Sequence, residues 1–152
     1  MIARMGFWLG LALIVGTVGW QTWSKQAILD HGREMLLPLA PVDPRSLMQG
    51  DYMDLRYADI LPEDIDEDTL PRRGVLVVTL TDAGEARARR LHQGESLAAG
   101  EYLLAYHTSH GRLAFAAESF LFQEGTADKY EDATHGLLKV AEDGTALLSG
   151  LR

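Results

Sequence analysis

Two hydrophobic patterns divide the chain. Residues 5–24 carry no charge, and the run 5–23, MGFWLGLALIVGTVGWQTW, is apolar on every helical face. As a helix this run is about 28 Å long, close to the hydrocarbon thickness of a bilayer. Trp8 lies near one end and Trp20 and Trp23 near the other, where indole rings favour the headgroup level. The pattern predicts a transmembrane helix at about 5–24, extended outward by residues 26–31 and stopped by Gly32. Residues 1–31 are thus expected to be a membrane anchor. Arg4 and the α-amine ahead of the span place the N-terminus in the cytoplasm and the rest, in a bacterial cell, in the periplasm. A cleaved signal peptide, with apolar core 9–15 and the site Thr17-Val18-Gly19, is the alternative, and would release a secreted binding protein. Gly6-x-x-x-Gly10 and Ala12-x-x-x-Gly16 are spacings that let helices in lipid approach closely.

After Gly32 the period changes. Short apolar runs recur between turn signals, the mark of a mainly β domain over residues 32–152. Strands are expected at 35–41, with Pro38 placing it at an edge or bulge, and at 51–58, 74–81, 86–92, 102–107, 112–122, 137–141 and 146–151. GVLVVTLT at 74–81 is apolar on both faces and reads as central. Ala, Arg and Glu at 85–92 also suit a helix, and strand is the reading taken. Asp82-Ala83-Gly84, His110-Gly111 and Asp143-Gly144 are hairpin signals. Together they suggest an antiparallel or mixed, barrel-like meander of about eight strands, with one short helix at 127–134 capped by Thr126. Residues 59–68 hold six acids and a proline and read as a solvated, mobile loop. They lack the spacing of a calcium loop.

Composition narrows the function classes. The net charge of −8 argues against a nucleic-acid partner, which needs a basic face. With no cysteine there is no disulfide scaffold, thiolate nucleophile or Cys-ligated metal. His31, His92, His107, His110 and His135 form no metal-binding spacing, and no phosphate loop, dinucleotide fingerprint or nucleophile elbow occurs. The reading is of no cofactor and no metal.

Residues 43–57, DPRSLMQGDYMDLRY, are the most unusual run. Asp43 can cap a turn led by Pro44, and Gly50 permits a positive φ before the strand. Alternation puts Met53, Leu55 and Tyr57 on one face and Tyr52, Asp54 and Arg56 on the other. The run resembles a sequence family named for the motif G-D-Y-x-x-L-x-Y: Gly50, Asp51, Tyr52, Leu55 and Tyr57 fill every fixed position. The likeness extends through 41–51 and through FLFQEG at 120–125. It implies a small bacterial membrane-associated protein without an assigned activity, encoded beside multi-pass membrane proteins. A location and a multi-pass partner follow from it, but no reaction and no ligand.

Chemically, Asp51 can accept hydrogen bonds from turn amides or pair with Arg45, leaving Tyr52 and Tyr57 to pack and Leu55 to enter the core. Alternatively Asp51 and Glu124 form a binding rim, or the paired carboxylates of a hydrolase with Tyr57 or His135 nearby. A single span ahead of a β-domain with a Gly-Asp strand start is also similar to type I signal peptidases. Their Ser-Met-x-Pro stretch is missing, since Pro41, Val42 and Asp43 precede Pro44, and none of Lys25, Lys129 and Lys139 lies in a strand such as 74–81. The expectation is a membrane-anchored, non-catalytic accessory or binding domain whose rim carries Arg45, Gly50, Asp51, Tyr52, Leu55, Tyr57 and Glu124.

Overall fold

A helix of 30 residues, α1 (Ile2–His31), leads into a domain made of strands. The computed structural model describes residues 2–40, 52–58, 60–109, 111–122, 129, 130 and 132–152; the side chains of 2–5, 52–54 and 68 lie outside that description. Gly32 ends the helix, as its place after the apolar run predicted. Its N–H donates to the Ile28 carbonyl at 2.8 Å. A Cβ there would lie 2.4 Å from that carbonyl oxygen and 3.1 Å from the Val140 nitrogen, so only glycine lets the helix end press onto the sheet.

Nine strands follow among the described residues: β1 (Arg33–Pro38), β2 (Tyr52–Asp54), β3 (Arg73–Leu80), β4 (Ala86–Leu91), β5 (Glu101–Ser109), β6 (Arg112–Ala114), β7 (Ser119–Leu121), β8 (His135–Val140) and β9 (Ala146–Leu151). They form antiparallel sheets ordered β4-β3-β5-β6, β1-β8-β9 and β2-β7. β3 is central, as its two-sided apolarity predicted, and Pro38 closes the edge strand β1, where a missing N–H costs no ladder bond. The three hairpin signals fall on the β3–β4, β5–β6 and β8–β9 connections. At the last, Gly144 adopts φ +88° while Asp143 Oδ1 accepts from the Thr145 N–H at 2.8 Å.

The sheets curl around one core. A parallel bridge joins Leu36 to Glu85, and the Ala105 N–H donates to the Gly144 carbonyl at 2.9 Å, tying both larger sheets together. Met35, Leu37, Leu138 and Val140 meet Leu76, Val78, Leu104 and Phe115 inside, all 3% exposed or less.

Several expectations are corrected. The order is not a meander, because β1 pairs with β8 and β2 with β7 across most of the sequence. The expected strand at 51–58 is only Tyr52–Asp54, followed by an isolated bridge between Leu39 and Tyr57. The expected strand at 112–122 breaks into β6 and β7, with Ala116 between them at φ +55°, a left-handed conformation alanine seldom adopts. Of the helix expected at 127–134, residues 127, 128 and 131 and the Thr126 cap lie outside the described residues; Lys129 is in a 3₁₀ turn, 130 and 132 are turn, and 133 and 134 are irregular rather than α-helix. The acidic segment is pinned: Ile60 is 5% exposed in the core and its carbonyl accepts from the Ala88 N–H at 2.9 Å.

The largest correction concerns α1. Among the described residues no helix is long and apolar enough to cross a membrane. Length is not the shortfall. Four glycines, three tryptophans, two threonines and Gln21 dilute the leucine, isoleucine and valine between residues 6 and 23. The same helix leaves its large apolar side chains bare. Phe7, Trp8, Leu9, Leu13, Ile14, Val15, Val18, Trp20 and Trp23 are 57–72% exposed.

Candidate functional site

The motif's second half is where its structure can be read. Gly50, Asp51, Arg45 and Glu124 lie outside the described residues, as does the side chain of Tyr52. The Asp51–Glu124 pairing is therefore not described. The backbone of Tyr52 opens β2, opposite Leu121 of β7. Past this ribbon the chain runs between two layers. The Leu55 N–H donates to the Glu118 carbonyl at 2.8 Å, the Ala40 N–H to the Arg56 carbonyl at 2.7 Å, and the Ala58 N–H to the Pro38 carbonyl at 3.0 Å. Bonds on alternate sides fix the phase predicted from alternation: Leu55 is buried and Arg56 points to solvent.

Tyr57 is the centre of this arrangement. Its ring stands edge-on to Phe115, with centroids 5.4 Å apart and planes at 87°. Its hydroxyl donates to the Ala117 carbonyl at 3.0 Å. Ala117 follows the left-handed Ala116, so the tyrosine supplies a partner for a carbonyl turned out of the broken strand. Burial pushes the phenol's pKa up, which keeps it a neutral donor. Two small clefts flank the ring. One, of about 250 Å³, is bordered by Leu55, Arg56, Glu67, Arg112 and Glu118. The other, of about 270 Å³, lies toward Ile60, Pro62 and Ile65.

The charged groups around the first cleft were not singled out by sequence reasoning. Glu67, on a 3₁₀ turn at Glu67–Thr69, accepts from the Leu113 N–H, and His107 Nε2 lies 3.1 Å from Glu118 Oε1. These pairs join residues 11 and 46 positions apart, a distance no local pattern signals. His135, expected near the motif acids, which lie outside the described residues, meets Glu85 at 3.1 Å through Nε2 and Thr134 Oγ1 at 2.9 Å through Nδ1. Hydrogen bonds from His135 and then Arg87 hold the Glu85 carboxyl below its ordinary range. The contact lies beside the Leu36–Glu85 bridge and helps to close the seam between the two larger sheets.

Among the described residues no charged side chain is buried, and no group of three His, Asp or Glu converges as a metal site would require. What the motif region offers is a rigid tyrosine-centred frame and a mixed-charge rim.

The family model described as GDYXXLXY protein matches residues 14–151. The chain belongs to that family. The match begins inside α1, so the GDYXXLXY unit includes the second half of the helix as well as the sheets. No curated protein and no solved structure matches this chain. Within the family motif, Leu55 and Tyr57 are thus core and frame, joining the segment after β2 to the break between β6 and β7.

Proposed function

We propose that this chain is a non-catalytic accessory or binding module held at the bacterial inner membrane by α1. Its N-terminus is cytoplasmic, its sheets are periplasmic, and it works with a multi-pass membrane partner. One observation carries the reading: among the described residues, the large apolar side chains of α1 from Phe7 to Trp23 stay open, 57–72% exposed except for Leu11 at 40%. Left in water, so much bare hydrocarbon is unfavourable by about 25 cal/mol for every Å². Because these side chains point in all directions, a helix lying flat on the bilayer would still leave half of them wet.

The partner answers the modest apolarity of the helix. A Cβ built at Gly6, Gly10, Gly16 or Gly19 would meet nothing within 4 Å. Small residues at such spacing let a neighbouring helix approach closely, and packing there stabilises a helix that lipid alone holds weakly. Tethering then raises the effective concentration of the domain at its partner, so weak docking of the rim carrying Asp51, Tyr52 and Glu124 suffices.

Alkaline carbonate washing of isolated membranes tests the location. The full-length chain is expected in the pellet, and its release into the supernatant overturns the reading. A photo-crosslinking residue at Gly10 or Gly16 tests the partner, with a cross-link to a multi-pass protein as the expected product.

A further inference from the structure

One cavity lies away from the described part of the motif. A half-open cleft of about 580 Å³ lies where the last turn of α1 meets the sheets. Ala27 and Ile28 of the helix, Met35 of β1, Leu97 of the β4–β5 connection, Leu103 of β5 and Val140 of β8 give it an apolar lining. This size is ordinary for a site that takes a small organic ligand.

Its mouth is charged, and with both signs. Arg33 lies with its guanidinium carbon 4.3 Å over the Tyr102 ring. It makes no ion pair or hydrogen bond among the described residues, so its donors remain available. Across the β1–β8 ladder, where Arg33 faces Val140, Glu142 follows two residues on and is likewise unpaired among the described residues. Glu101 also borders the cleft. Arg90 binds both of its oxygens, so it stays anionic yet neutralised. A guanidinium suits phosphate, and an unpaired carboxylate suits an ammonium.

Depth supplies the third condition. Ala27 lies four residues beyond Trp23, about 6 Å along the helix. The headgroup layer adds about 5–8 Å to each side of the hydrocarbon, so a helix lodged up to Trp23 brings the cleft to that level.

We propose that this cleft binds a phosphoethanolamine-headed phospholipid from the periplasmic leaflet. Its phosphate lies on Arg33, its ammonium toward Glu142, and part of an acyl chain against Ala27, Ile28, Met35 and Leu103. The assignment rests on the membrane reading above and adds a ligand to it.

The test uses the full chain in maltoside micelles, titrated with dihexanoylphosphatidylethanolamine and followed by calorimetry and the ³¹P signal. Saturable one-to-one binding is expected. Arg33→Gln should weaken it about tenfold or more, the scale of one lost charge-assisted hydrogen bond. Glu142→Gln should weaken it less, and should leave binding of dihexanoylphosphatidylglycerol, which has no amine, unchanged. Ala27→Trp, which fills the floor, and Leu97→Asp, at the exposed lip, should each abolish binding while far-UV circular dichroism stays as in the wild type. Unsaturable uptake that is the same in wild type and Arg33→Gln overturns the proposal. So does phosphoethanolamine alone binding as tightly as the lipid, because the acyl chain then has no place. Carbonate release of the chain with saturable lipid binding intact overturns the membrane reading and supports the site, so the two failures are distinguishable.

Discussion

α1 and the β3–β5 pair use the same kinds of side chain to opposite ends. Leu76, Val77, Val78 and Leu104 are 0% exposed, whereas Leu13, Ile14 and Val15 are 61–72% exposed. In the sheets, apolar residues stabilise the fold by leaving water. In the helix, between Phe7 and Trp23, they stay largely exposed among the described residues. An apolar residue is informative about stability only once its neighbour is known, and between Phe7 and Trp23 the described residues leave most of the apolar surface of α1 open.

Mutations at the two ends of that contrast should behave differently. Leu104→Ala opens a cavity in a closed core and should lower stability by about 3 kcal/mol, measured by denaturant unfolding in detergent. Gly32→Ala strikes the joint between the regions. The added methyl collides with the Ile28 carbonyl, and a loss of about 2 kcal/mol is expected, with the helix end shifting off β8. Tyr57→Phe keeps the ring against Phe115 but removes the donor to Ala117. It should lower stability by about 1 kcal/mol, and a larger loss would mean that the hydroxyl also orders the β6–β7 break.

Acid sharpens the same contrast more gently. The Arg90 hydrogen bonds, followed by that from the Ala98 N–H, hold Glu101 at about 2. Backbone N–H groups, its own and that of Gln93, do the same for Glu95, also at about 2. Both folded values lie below the unfolded carboxylate value of about 4.3, so their stabilisation is complete above about pH 5 and is lost as pH falls toward 2. The melting temperature should fall through that window, and less steeply in Arg90→Gln. α1 has no acid before Asp30, so its helicity should not follow. The smallest effect is Leu13→Ala, expected to change the unfolding free energy of the sheets by less than about 0.5 kcal/mol. A loss comparable to that of Leu104→Ala would erase the distinction between the regions.

What could be read in advance was local. Asp143-Gly144 and Asp82-Ala83-Gly84 set their hairpins through backbone preferences held within a few residues, and Val-rich β3 announced burial on both faces. Leu55 and Tyr57 could be assigned from alternation and the motif. The pairings of β1 with β8 and β2 with β7 could not, because long-range partners are chosen by the closed core rather than by neighbours in sequence. The 112–122 segment reads as one strand because nothing about Ala116 signals a left-handed residue. The Glu85–His135 contact and the Arg33 cleft are likewise products of closure. Gly32 was read as a helix stop, but its need to admit the sheet backbone was invisible.

Both larger sheets carry an odd residue. β3 pairs Val77 with Arg90 and Val78 with Ala88, skipping Arg89, while β8 pairs Leu137 with Gly150 and Leu138 with Leu148, skipping Ser149. The parity of each hairpin therefore depends on that surplus position: Ala86, Ala88 and Leu91 all face inward only because two arginines stand side by side between the last two. Pairing Arg89 in the ladder would turn one end of β4 inside out, trading Leu91 for Arg90 in the interior, whereas deleting Arg89 would complete the ladder and leave Ala88 and Leu91 facing inward.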